Sequence, residues 1–147
     1  MVVLIVLFAS WVLFRGIGML GVGALASWHE SARSALAVMF VFTGIAHFIT
    51  KTKLEMARMV PSVFPRPVLM VYATGAFELL GAVGLIEPRT RAAASAALMV
   101  MLVAMFPANI KAARERLTVG GRVATPLWLR TPMQALFIGM LWWVGWR

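Results

Sequence analysis

Seven polar side chains stand out in an otherwise apolar chain: Arg15, His47, Tyr72, Glu78, Asn109, Arg130 and Gln134. Glu78 is the most telling, because it lies about ten residues into the apolar run 68–86, where a carboxylate must be shielded, paired or protonated. At 1.5 Å per residue it sits roughly 15 Å beyond Val68. Thr74 precedes it by one helical turn, and Gly75, Glu78 and Gly81 recur every third position, so the acid belongs to a small-residue face turned toward a neighbouring helix. His47 and Asn109 fall at or near the ends of their own apolar runs and are expected to be shallower.

Two chemistries fit these residue types. Imidazole titrates near neutrality, so His47 beside a deep acid suits proton handling or the holding of a polar headgroup. Asn109, Arg130 and Gln134 add hydrogen-bond donors, and with Tyr72 they are expected to line one ligand pocket with Glu78 as its floor and His47 at its mouth. The structural alternative is a buried ion pair. Arg15 lies within the first apolar run, and since an unpaired charge there costs several kcal/mol, Glu78 is its natural partner.

Other chemistries are disfavoured by composition. With no cysteine, the chain cannot by itself form disulfides, attach c-type haem or hold a cysteine-ligated iron–sulfur cluster. The second histidine, His29, is expected on the opposite membrane face from His47, which argues against bis-histidine haem. No phosphate loop, paired-histidine metal motif or serine–base arrangement is present. No metal site is expected, and no complete catalytic set is visible. The eleven methionines read as packing rather than a copper path.

The elements that must position these groups are helices. The 147 residues are 62% hydrophobic and 13% charged, a composition of a membrane protein rather than a soluble bundle with polar helix faces. Apolar stretches at 2–28, 34–50, 68–86, 92–110 and 127–146 are each near the ~17–25 residues of a helical crossing, giving five spans. Four is the alternative, because Arg15 interrupts the first stretch and 34–50 is short. Ala24-Leu25-Ala26 looks like a cleavage site, but no basic residue precedes Arg15, so a signal peptide is not expected. Residues 51–67 suit a short interfacial helix ended by Pro61, Pro65 and Pro67, and Pro107 is expected to kink its helix and free a carbonyl for Asn109. Trp128, Trp142, Trp143 and Trp146 read as interfacial anchors.

The net charge of +9 follows the same topology. With five spans, Lys51, Lys53, Arg58, Arg66, Lys111, Arg114, Arg116, Arg122 and Arg130 share the face of the N-terminus, against Arg33, Arg89, Arg91 and Arg147 on the other. The bias places the N-terminus in the cytoplasm and the C-terminus outside. Anionic membrane lipids account for the basic loops without a nucleic-acid partner.

Five motifs, in order, carry a family resemblance: Phe42-Thr43-Gly44-Ile45-Ala46-His47-Phe48, Met59-Val60-Pro61 through Phe64-Pro65, Thr74-Gly75-Ala76-Phe77-Glu78-Leu79-Leu80-Gly81, Phe106-Pro107-Ala108-Asn109-Ile110, and Trp128-Leu129-Arg130-Thr131-Pro132-Met133-Gln134. Over residues 34–147 the chain resembles the DoxX-like family of small bacterial membrane proteins. The resemblance implies an all-α, multi-pass transmembrane bundle in the bacterial inner membrane. It would have a four-helix domain at 34–147, preceded at 1–33 by an additional helix and outer turn. It also implies that His47, Glu78, Asn109, Arg130 and Gln134 occupy the family's recurring polar positions. Two functions follow as expectations: an organiser that binds a membrane or redox protein partner, or a quinone- or lipid-binding subunit of a membrane oxidoreductase system.

Overall fold

The computed structural model describes residues 1–146; Arg147, counted above on the outer face, lies outside them. The chain is all-α apart from one small hairpin: α1 (Val2–Met19), α2 (Trp28–Ala46), α3 (Thr50–Met59), α4 (Pro67–Ile86), α5 (Arg91–Ala104), α6 (Phe106–Arg114), β1 (Thr118–Val119), β2 (Arg122–Val123) and α7 (Leu127–Gly145). α2 packs between α1 and α4, α5 packs between α4 and α7, and α7 closes back on α2. Leu7, Leu36, Phe40, Leu85, Leu98, Leu141 and Val144 fill the centre. The outward faces are apolar as well, with Val12, Leu80, Val83 and Val100 each about 70% exposed.

Three helices are long and apolar enough to cross a membrane: α1, α4 and the run Arg91–Arg114 formed by α5 and α6. α2 joins them only when counted with α3, from which it is bent by 92°. This is a smaller count than the five apolar stretches suggested. α2 opens on His29, Glu30 and Arg33, and α7 carries Arg130, Pro132 and Gln134, which dilute both helices.

The first apolar stretch is not one long helix. α1 stops at Met19, Gly21 takes a positive φ of 104°, and a 3₁₀ turn at Gly23–Leu25 leads into α2. Gly18 is required by this reversal, since a Cβ there would lie 1.9 Å from the Leu25 carbonyl oxygen. These glycines turn the chain rather than seat one helix against another. Residues 29–33, expected as an outer turn, are instead helical: Ser27 caps α2 in a reciprocal capping box with Glu30, which satisfies amides the helix start would otherwise leave free.

At the far end of the bundle, α3 turns 92° away from α2, packs against α4 and ends at Met59, just before Val60 and Pro61. The basic stretch after α6 folds into the β1–β2 hairpin. The Gly120 N–H donates to the Glu55 carboxylate at 2.6 Å, and the Lys111 ammonium donates to the Val60 carbonyl at 3.1 Å. These contacts tie hairpin, α3 and α6 into one cap.

Candidate functional site

The site begins with the close approach of α2 and α4. Gly75 has no Cβ, and one placed there would lie 2.5 Å from the Cβ of His47. The imidazole is therefore pressed onto α4, one turn below Glu78. His47 Nδ1–H donates to the Thr43 carbonyl at 2.9 Å, which fixes the ring and leaves Nε2 without that proton in the neutral form. Glu78 Oε2 lies 3.8 Å from Nδ1, too far for a hydrogen bond. Both side chains are buried, His47 at 4% and Glu78 at 5% exposure, and Oε2 has no hydrogen-bond partner. A buried carboxyl oxygen in this position is either protonated or open to a donor from the cavity.

A second polar group comes from the other side of the bundle. Arg130 in the first turn of α7 donates to Asn109 Oδ1 at 2.5 Å, Asn109 Nδ2 donates to Gln134 Oε1 at 3.4 Å, and Gln134 Nε2 donates to the Leu102 carbonyl at 2.9 Å. The helix is interrupted at Met105, between α5 and α6, just ahead of Pro107. Pro107 has no N–H for the carbonyl four residues earlier, so this stretch of backbone is open to side-chain donors. Gln134 is the residue that reaches it, rather than Asn109, whose amide is occupied by Gln134 and Arg130.

Both groups face one cavity of about 450 Å³, within the range of small-molecule sites. Glu78, His47 and Thr43 line one part, and Arg130, Asn109 and Gln134 line another. Most of the remaining wall is apolar. Eight of the eleven methionines contribute to it: Met1, Met39, Met56, Met59, Met70, Met101, Met105 and Met133. Val60, Pro61 and Phe64 after α3, with Val119 of the hairpin, place the cap over the same space.

Five of the six expected pocket residues thus meet at one cavity, and Tyr72 does not. Six residues before Glu78, it is turned about 120° from the acid's face of α4. Its hydroxyl accepts from the Lys53 ammonium, the Lys53 nitrogen sits 4.6 Å from its ring centroid, and Phe48 packs against it at 5.5 Å. Tyr72 fastens α3 to α4 outside the cavity.

The expected Arg15–Glu78 ion pair is not formed. The Arg15 guanidinium lies 5.2 Å from the Trp28 ring centroid, at the start of α2, whereas Glu78 meets α2 at His47, its other end. The 19 residues of α2 separate the two places by roughly 28 Å. Because α1 stops at Met19, Arg15 belongs to its last turns and not to mid-span. There Trp11 and Trp143 pack edge to face, and Trp11 donates to the Trp28 carbonyl.

The depth assignment changes as well. His47 is beside Glu78 rather than at the mouth, because α3 and the segment 60–66 add a further layer beyond the end of α2. The sequence assigns the methionines to packing, yet eight of them line the cavity; Met101 and Met105, four apart, are the local sign of a shared surface.

Comparison with known proteins finds no match among curated proteins or solved structures. One family model matches residues 36–145, a stretch from within α2 to the end of α7 that contains His47, Glu78, Asn109, Arg130 and Gln134 and leaves α1 and Arg15 outside. The chain belongs to the family described as "Domain of unknown function (DUF8561)".

Proposed function

We propose that this is an integral membrane protein whose bundle holds one amphipathic small molecule, a quinone or a lipid, as the binding subunit of a membrane system. The observation that carries the reading is a buried carboxyl group, Glu78, sharing with Arg130, Asn109 and Gln134 the wall of a 450 Å³ cavity that is otherwise largely apolar. An apolar cleft with a few convergent polar groups is what such a ligand requires. The apolar outer faces of α1, α4 and α5 favour lipid as their surroundings, and the likeness to DoxX-like motifs favours the bacterial inner membrane. The charge bias favours a cytoplasmic N-terminus and an outer C-terminus, with the capped end of the cavity toward the cytoplasm.

The test is mass spectrometry of gently solubilised protein, comparing the wild type with Ala108→Trp, a substitution that fills the cavity. A quinone or defined lipid carried by the wild type and absent from the variant is expected. An empty wild type that co-purifies with a stable protein partner, retained by the variant, would replace this reading with that of a partner organiser.

A further inference from the structure

We infer that the cavity takes an amphiphile with an anionic oxyanion headgroup, carboxylate or phosphate, received by Arg130 while its apolar chain lies along the methionine wall. This deepens the ligand-binding reading above and rests on it.

The first support is an uncompensated charge. Among the described residues no carboxylate comes within 4.0 Å of the Arg130 guanidinium; the Glu78 carboxyl lies 3.8 Å from His47 instead. Arg130 is partly buried and lines the cavity, so its positive charge is only partly screened by water and has no counter-ion among the described residues. A guanidinium carries five N–H donors in a planar fork. One bond, to Asn109 Oδ1, is made, and the other donors have no protein acceptor among the described residues. A carboxylate or phosphate matches that fork in two-point geometry.

The second support is orientation. Asn109 accepts from Arg130, Gln134 accepts from Asn109, and the Leu102 carbonyl accepts from Gln134. Every link runs in one direction and ends on backbone, which holds the guanidinium in place before any ligand arrives. Pre-set geometry of this kind lowers the ordering cost of binding.

The third is the rest of the wall. Thioether side chains are unbranched and polarisable, and they adapt to a flexible chain better than a rigid aromatic slot would. Arg130 stands at the capped end of the cavity, with Met133 and Phe137 further along α7 and Met101 across from them, so a headgroup there directs its tail inward. A neutral quinone would leave the cation without its counter-charge.

The experiment uses wild-type protein in nanodiscs of zwitterionic lipid, with tritiated hexadecanoate as the probe at a pH where it is ionised. Saturable binding is expected, displaced about tenfold better by unlabelled hexadecanoate than by hexadecanol of the same chain length. Arg130→Gln should equalise the two, and inorganic phosphate or acetate should fail to compete. Equal displacement by acid and alcohol in the wild type would overturn the anionic headgroup while leaving an amphiphile site intact. Displacement by inorganic phosphate or acetate as effective as by hexadecanoate would mean a soluble anion and remove the tail. Absence of saturable hexadecanoate binding would overturn this inference, whereas a quinone still found in the wild type by mass spectrometry would preserve the broader reading. The acid–alcohol comparison needs no variant, so the inference is tested even if Arg130→Gln does not assemble.

Discussion

His47 rests on the bare α-carbon of Gly75, and that contact, with the Nδ1–H bond to the Thr43 carbonyl, sets the imidazole 3.8 Å from the buried oxygen of Glu78. Gly75→Ala must displace either the ring or the helix. It is expected to destabilise the bundle by about 1–3 kcal/mol, as overpacking typically does, and to weaken ligand retention. Thermal unfolding in detergent, together with the bound-ligand content, measures both. An alanine variant as stable as the wild type would mean that α2 and α4 can separate freely.

Arg15 and Glu78 act at different ends of α2. Arg15→Leu and Glu78→Gln should therefore add, with a coupling below ~0.5 kcal/mol in a double-mutant cycle. Arg15 and Trp28 should couple, by about 0.5–1 kcal/mol for a cation over an aromatic ring near the surface. A larger coupling for Arg15 with Glu78 than with Trp28 would contradict the placement of both.

Gln134→Leu removes the donor to the Leu102 carbonyl and the acceptor for Asn109. A loss of about 1–3 kcal/mol is expected from the polar groups left unsatisfied. Gln134→Glu should not restore it, since a carboxylate offers no N–H to that carbonyl. Denaturation curves of the two variants provide the comparison.

The cap is held by few bonds. Glu55→Ala breaks the link to Gly120, and Tyr72→Phe breaks the link from Lys53. Amide exchange in α3 and the hairpin should accelerate in the double variant while exchange in α4 and α7 remains slow, because local opening tracks local contacts. Uniform acceleration across all helices would mean that the cap is not a separate unit.

The chain has no cysteine, so single introduced thiols report topology directly. Arg58→Cys and Arg116→Cys should react from the cytoplasmic side and Arg89→Cys from the outside. Labelling of Arg58→Cys and Arg89→Cys from the same side would contradict the proposed crossing pattern.

The helical class and the inward face of α4 were legible because apolar run length and small-residue spacing are local properties. Pro61 and Pro67 marked the limits of the segment after α3 for the same reason. The ion-pair expectation failed because depth was inferred from apolar length: residues 20–28 are apolar, yet Gly18 and Gly21 reverse the chain there, and Arg15 was moved from middle to end. Tyr72 was placed by its polarity and proximity in sequence, while its angular position on α4 decided against it. The chain of donors from Arg130 to Leu102 joins residues up to 32 positions apart and depends on which amide each side chain turns to its neighbour, which spacing alone does not encode.

Eight sulfur atoms share one cavity wall, so the wall is also chemically self-reporting. Peroxide would convert an adaptable thioether surface into a set of polar sulfoxides, and a ligand in place would shield those sulfurs as a group. On the proposed ligand-binding reading, the same lining that suits a flexible tail would make retention of that tail sensitive to oxidant.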